Sequence, residues 1–216
     1  MACEGDDERI GEALIREVIN AELKALPSQD VPPLTTPTAE VENELQQKVV
    51  DELAKITITI GDHLYNKKLQ DSIDAVARSS GSKWDMFKKV VVKVFKDGIT
   101  WEKIIMLCYI AGKLAVKVVC LLADDQNGFS QMVVTHLPES LMEIQRWTVD
   151  FFKNNLLVWI QEHGGWINSF SELAQSSMQR VSTMSTHTYR LVGIGILIFI
   201  AGLAIGRNFP GRLSRN

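Results

Sequence analysis

Residues 101–123, WEKIIMLCYIAGKLAVKVVCLLA, are apolar almost all the way round a helix, and after Lys103 the only charges are Lys113 and Lys117. A helix with no polar face is either enclosed by protein or placed in lipid. At about 1.5 Å per residue the segment would measure roughly 35 Å, about the thickness of a bilayer core. Two lysines at mid-membrane depth are costly, so burial inside a soluble fold is the expectation.

The surrounding sequence supplies further helices. The chain is 216 residues long with 46% apolar content, enough for one sizeable core. Four of its six prolines (Pro27, Pro32, Pro33, Pro37) lie in one stretch, which leaves the remainder free of breakers. Residues 9–26 place Ile10, Leu14, Val18 and Ala21 on one stripe with charges opposite, an amphipathic helix. PSQDVPPLTTPTAE then has turn and extended chemistry and reads as a loop.

From Val41 the stripe resumes through Leu45, Val49, Leu53, Ile56, Ile60 and Leu64, in steps of four and three. Inside it lies KITITIG, Lys55–Gly61, whose alternating β-branched residues taken alone read as a strand. The longer helical period outweighs five alternating positions, and the segment is expected to be helical. Threonine and isoleucine each disfavour a helix by roughly 0.4–0.7 kcal/mol relative to alanine, so the run costs on the order of 2–3 kcal/mol that packing must offset. Leu53, Thr57, Ile60 and Leu64 share one face, with Ile58 on the other side.

KKLQDSIDAVARSS reads as another helix. Ser82-x-x-Asp85 is a capping signal for a basic helix carrying Lys83, Lys88, Lys89 and Lys93, with Lys96 at its end. Gly98 breaks that helix and Thr100 can cap the next. A helix is expected from Pro138 to about His163 with Leu141, Ile144, Thr148, Phe151 or Phe152, Leu156 and Trp159 inward, ended by Gly164-Gly165. WINSFSELAQSSMQRV reads as a shorter amphipathic helix. Residues 191–206, LVGIGILIFIAGLAIG, hold no charge between Arg190 and Arg207. They span roughly 24 Å as a helix, which flanking aromatics and snorkelling arginines can extend across a bilayer. This is a tail-anchor pattern, and Gly202-x-x-x-Gly206 within it permits close helix pairing.

Residues 1–52 hold 13 of the 26 acidic side chains and 4 of the 23 basic ones, so the head is acidic and the body basic. A basic body without aromatic-interleaved strips or zinc-finger spacing fits an anionic membrane surface at least as well as nucleic acid. The cysteines Cys3, Cys108 and Cys120 and the histidines His63, His136, His163 and His187 have no ligand-like or catalytic spacing, which points to a reducing cytosolic setting, no cofactor and no metal. No phosphate-binding glycine loop or paired carboxylate suggests an enzyme. Cys108 within the apolar helix reads as an inert thiol.

Three stretches together resemble the homology motifs of the Bcl-2 family. Leu53-x-x-x-Thr57-x-x-Ile60-Gly61-Asp62-x-Leu64 looks like the third motif, Asp97-Gly98-Ile99-Thr100-Trp101-Glu102-Lys103 like the first, and Trp159-Ile160-Gln161-Glu162-His163-Gly164-Gly165-Trp166 like the second. Residues 146–166 are similar to the Bax-type effector branch, whereas the short DGITW spacing is more like Bak or Bok. The resemblance implies an all-α fold, a helical bundle around a central apolar hairpin with a C-terminal transmembrane helix. The divisions it implies are an N-terminal helix and Pro-rich loop over 1–40, a core over 41–185 (third motif 53–64, first motif 97–116, second motif 159–170) and a tail anchor over 188–207.

The function implied is that of a pro-apoptotic effector of the cytoplasm and mitochondrial outer membrane. Its own motif helix (Leu53, Ile56, Thr57, Ile60, Gly61, Asp62, Leu64) would dock in a groove bearing Gly98, Trp101, Lys103, Trp159, Gly164, Gly165 and Trp166 on another copy, and the dimers would permeabilise the membrane. Arg190, Leu191, Gly202, Gly206 and Arg207 would hold the anchor. Implied partners are other family members, motif-only activator helices, further copies of the chain and membrane lipid, with no nucleic acid. The alternative in the family is a survival guard that sequesters partner helices, and outside it a membrane-anchored helical scaffold.

Two departures from the family pattern concern charge and fit. Thr57 stands where leucine is usual, so that self-docking either loses about 1–3 kcal/mol of apolar burial or shifts its anchor to Ile56. Lys103 stands where an arginine pairs with the motif aspartate, and it could meet Asp62 only as a point charge. Extra residues around 124–136 lengthen the connection inside the central hairpin. The β-branched segments KITITIG and VVVKV are helices of low intrinsic stability, suited to easy release.

Overall fold

The apolar helix organises the structure because every neighbour turns its own apolar stripe toward it. A computed structural model of the protein describes residues 5–26, 44–124 and 129–166, together with 168, 169, 172 and 173. All regular elements among the described residues are helices. The chain divides into two units, 1–166 and 167–216, and the seven helices below belong to the first. The Pro-rich loop, the helix expected after Trp166 and the anchor residues Arg190, Leu191, Gly202, Gly206 and Arg207 lie outside the described residues, apart from the four positions at 168–173.

Helix α1, Asp6–Lys24, begins with Asp6, Asp7 and Glu8 and ends with Lys24, charges that match the helix dipole at both ends. It buries Ile10, Leu14 and Val18 as the stripe predicted, and Ile15 and Ile19 besides, whereas Ala21 is only half-buried. Helix α2, Glu44–Leu64, runs unbroken through KITITIG, so the helical period prevails over the local strand pattern. Thr59 turns its hydroxyl onto the Lys55 carbonyl at 2.9 Å, one way in which a helix accommodates threonine. Leu45, expected on the buried stripe, is 50% exposed; core contact starts at Gln46 and Val49.

Helix α3, Lys67–Ala77, follows a two-residue break and is capped by Asn66, whose side chain accepts from the Leu69 amide at 3.0 Å. Helix α4, Lys83–Val94, starts at Ser82, whose hydroxyl accepts from the Asp85 amide at 3.2 Å, half of the expected capping exchange. Gly98, with φ +94°, turns the chain in the left-handed region. Thr100 then caps α5, Trp101–Asp124, by accepting from the Lys103 amide at 3.3 Å. Helix α5 touches α1, α2, α3, α4 and α6. It is long and apolar enough to cross a membrane, yet 72% of its most apolar stretch is buried within the protein.

Two expectations about the next helix are corrected. Helix α6, Phe129–Asn155, begins nine residues before Pro138, which lies inside it. Proline forgoes one ladder bond, and burial of Leu137 and Leu141 on either side carries the helix across that gap. The same helix stops short of His163. Asn154 and Asn155 turn their amides onto the carbonyls of Asp150 and Phe151, 2.8 and 2.9 Å away, competing with the ladder there. Leu156 forms the joint, and a separate α7, Leu157–Glu162, follows.

Helices α1 and α6 approach closely at Gly11, where a β-carbon would lie 2.2–2.9 Å from atoms of the Phe152 ring. Lys153 reinforces this contact by pairing with Glu8 at 2.7 Å and with Glu12, hydrogen bonds that hold its ammonium above the usual lysine range. Because the Phe152 ring is buried and cannot retreat into solvent, Gly11→Ala is expected to destabilise the fold by about 1–3 kcal/mol, read as a lower urea midpoint at unchanged slope.

Candidate functional site

The residues of the third-motif stretch are split by the surface of the protein. Leu53, Ile56, Thr57 and Gly61 are buried, Ile60 and Leu64 are half-buried, and Asp62 is exposed. Gly61 is required by the Tyr109 ring of α5, which would lie as close as 2.1 Å to a β-carbon at that position. With the ring seated there, the Tyr109 hydroxyl reaches the next residue and donates to Asp62 Oδ1 at 2.6 Å. The glycine and aspartate of the motif thus act as one unit in the resting protein: the first admits the ring and the second holds its hydroxyl.

One turn further along α5, the Lys113 ammonium lies 2.8 Å from Glu22 Oε2 of α1 and 3.3 Å from Asp62 Oδ1 of α2. It also stands 4.9 Å from the centre of the Tyr109 ring and 5.9 Å from that of Tyr65. Glu22 is 6% exposed, and its stem crosses Gly112, where a β-carbon would come within 2.9 Å of Glu22 Cγ. The remaining Glu22 oxygen, Oε1, has no hydrogen-bond partner among the described residues. A carboxylate this enclosed needs a cation, and Lys113 supplies it.

Lys103, expected to meet Asp62 only as a point charge, is engaged elsewhere. Its ammonium donates to the Gly98 carbonyl at 2.8 Å and so closes the turn that precedes α5. The motif aspartate finds its cation ten residues later, at Lys113, because the facing of α2 on α5 brings Asp62 to that turn. Lys117, the other lone charge on the apolar helix, pairs with Asp74 of α3 at 3.0 Å.

Thr57 is fully buried, and its hydroxyl oxygen has no hydrogen-bond partner among the described residues. Burying a hydroxyl without a partner costs about 1–3 kcal/mol. The motif helix therefore carries an internal penalty at its centre, added to the weak helicity of its β-branched run.

The residues assigned to the groove gather around an aromatic cluster. The ring centres of Trp159 and Trp166 lie 5.3 and 5.6 Å from that of Trp101. Trp101 and Trp166 are buried; Trp159 is half-buried and stacks on His163 at 3.8 Å. Gly164 and Gly165 both adopt positive φ, and a β-carbon on Gly165 would lie 2.7 Å from Asp7 Oδ1. This turn delivers Trp166 to the start of α1, where its amide donates to Asp7 Oδ1 at 3.1 Å and its indole to the Asp7 carbonyl at 2.8 Å. Gly98 is exposed beside the start of α5, with open space around it. A surface cleft of about 660 Å³ lies elsewhere, between the α3–α4 turn and α6, lined in part by Ser82, Trp84, Arg146 and Trp147.

The sequence reading did not single out Glu22, Tyr109, Asp7 or Asn66. Lys113 was visible as a lone charge on an apolar helix, a signal that a buried partner is required, but its partners sit 91 and 51 positions away and only the packing identifies them. Cys108 is buried, and no cluster of three potential metal ligands occurs among the described residues.

Residues 47–166 match the family described as apoptosis regulator proteins of the Bcl-2 family. The chain is 32% identical to the apoptosis regulator BAX of Bos taurus over 149 residues, 68% of this chain and 69% of that one. It is 28% identical to Bcl-2-like protein 1 of Homo sapiens over 109 residues, 50% and 40% of the two chains. Its fold is similar to the crystal structure of chicken BOK, with a TM-score of 0.57 and 21% identity over 78% of this chain and 98% of that one.

Removing one partner of the enclosed pair leaves a buried charge, so Lys113→Met is expected to cost on the order of 3 kcal/mol, while Lys113→Met with Glu22→Leu should regain most of it; urea unfolding of the cycle reads both. Asp7 gives a pH signature. Burial raises its carboxyl above the ordinary value of 3.8, outweighing the Trp166 amide, with Asp6 adding to the rise. The folded state then binds the proton more tightly than the unfolded one, so this group's contribution is fully present below the ordinary value and is lost as pH climbs through the raised one. Asp7→Asn should flatten the part of the thermal-melt profile in which stability falls as pH rises above the ordinary carboxyl value of 3.8.

Proposed function

The chain belongs to the Bcl-2 family of apoptosis regulator proteins, and on that premise we propose that it is a Bax-like, pro-apoptotic effector that permeabilises the mitochondrial outer membrane. The observation that carries this reading is the inward setting of the third-motif helix. Leu53, Ile56, Thr57 and Gly61 are buried against the chain's own bundle, and Asp62 is held by Tyr109 and Lys113. A helix that docks in a groove uses anchors at i, i+3 or i+4 and i+7, and this helix has them at Leu53, Ile56 or Thr57 and Ile60, with Leu64 one turn on. Here those anchors are hidden, so exposure must precede any use of them on another copy.

In the proposed sequence of events a motif-only activator helix, or another family member, loosens the bundle. Helix α2 then exchanges its contacts with α1 and α5 for a groove on a second copy that includes Gly98, Trp101, Lys103, Trp159, Gly164, Gly165 and Trp166. Three features lower the cost of the exchange: the unpartnered Thr57 hydroxyl, the β-branched run, and the exposure of Asp62, whose ion pair is with a half-buried rather than enclosed lysine. Ile60 and Leu64, already half-buried, are the parts of the motif nearest to release. The protein would be cytoplasmic or already tail-anchored through 188–207 before activation, and homo-oligomeric at the membrane afterwards.

The test is dye release from liposomes of mitochondrial outer-membrane composition by the full chain with an activator peptide. Release is expected to need the peptide and to be lost in Asp62→Arg, which places a cation where the motif must present an anion. Tight peptide binding with no release would assign the chain to the survival-guard role instead, and absence of peptide binding would favour a scaffold.

A further inference from the structure

The outward side of α4 carries a row of cations with no acidic partner among the described residues. Lys88, Lys89 and Lys93 of α4 and Lys96 in the following turn are all exposed. The ion pairs formed by the described residues engage Lys48, Lys55, Lys67, Lys113, Lys117 and Lys153, and none of these four. Among them stands Val92, 52% exposed and one of four large apolar side chains exposed among the described residues. Phe87 and Val91 on the opposite side fasten the helix to the bundle.

We propose that this face of α4 is a docking surface for an anionic lipid bilayer, with Lys88, Lys89, Lys93 and Lys96 meeting headgroup phosphates and carboxylates and Val92 entering the interface between them. Charge complementarity assigns the occupant. Lys88, Lys89 and Lys93 fall within about 8 Å along the helix axis, about one Debye length at physiological salt, and Lys96 follows in the next turn, so a charged plane feels the row together. Clustered lysines on one helix face are the pattern that adsorbs to anionic headgroups. Asp85 and Asp97, the acids at either end of the row, limit its extent and leave the centre basic. A nucleic acid is less well matched, since no aromatic side chain is among the large apolar residues exposed here to stack on a base. An acidic protein segment would be better held by a concave apolar seat than by one helix face with a single exposed valine.

The surface is distinct from the pore-forming step and from the tail anchor, and a binding measurement separates them. Flotation of the full chain with vesicles of phosphatidylcholine alone, and of phosphatidylcholine with phosphatidylserine, gives the charge-dependent part of binding; an inserted anchor contributes equally to both. The wild-type increment is expected to fall with added salt and to drop roughly a hundredfold or more when all four lysines become glutamine. Arginine at the same four positions should retain it. A control with Lys24→Gln, Lys67→Gln, Lys68→Gln and Arg78→Gln, all exposed, all outside α4 and equal in the charge removed, should bind as the wild type does. Equal loss in that control, or full binding by the four-glutamine variant, would overturn the proposal. So would a four-lysine-dependent grip on a single-stranded oligonucleotide in a protein whose vesicle binding does not respond to phosphatidylserine. Thermal melts within error of wild type confirm that each variant is folded.

Discussion

A single ammonium on the buried helix ties the bundle together. Lys113 projects from α5 into the place where α1 and α2 both cover that helix, and it is neutralised from each side, by Glu22 and by Asp62. Glu22 is the enclosed member of the trio, and leaving its carboxylate uncompensated would cost several kcal/mol, which favours the register that brings Lys113 to it. Attraction within such a pair roughly offsets the loss of hydration, and the gain is specificity more than stability. Around the ammonium the apolar requirements agree with the polar ones: Gly61 admits Tyr109, Gly112 admits the Glu22 stem, and the Tyr109 hydroxyl finishes the connection to Asp62.

The same arrangement explains why the motif helix is held without being held firmly. Asp62 lies at the exposed rim, where screening by water and salt weakens its pairing with Lys113. Thr57, at the centre of the buried face, has no partner for its hydroxyl among the described residues. A leucine or valine there would bind the helix more tightly to its own core. For a protein proposed to act by exposing this helix, a seat that is specific in register and modest in strength is the useful combination.

Much of this was legible in the chain because local and global signals agreed. Ser82 and Thr100 cap the helices they were expected to cap, and Gly98 and Gly164-Gly165 turn the backbone where only positive φ will do. KITITIG is helical because its stripe continues far beyond the alternating run. Elsewhere tertiary context prevailed. Pro138 looked like a start and is an interior residue, since Leu137 and Leu141 anchor the turns around it. Asn154 and Asn155 look unremarkable in sequence and end α6 by their side-chain bonds. The partner of Asp62 was sought at Lys103, the position with a counterpart in the family motif, whereas helix facing delivers Lys113 and a carbonyl occupies Lys103. Pairings between residues 50 to 160 positions apart, Asp7 with Trp166 among them, leave no trace in periodicity or capping and emerge only when the stripes are packed.

Hydrogen exchange at the amides of residues 53–64, followed by mass spectrometry in the full chain with and without an activator peptide, tests most directly whether this helix is a specific but weakly held element. The account predicts that these amides exchange faster than those of α5 at rest, speed up further with the peptide, and slow in Thr57→Val, which keeps the shape and removes the orphaned hydroxyl. Protection equal to that of α5, unchanged by peptide and by Thr57→Val, would contradict it.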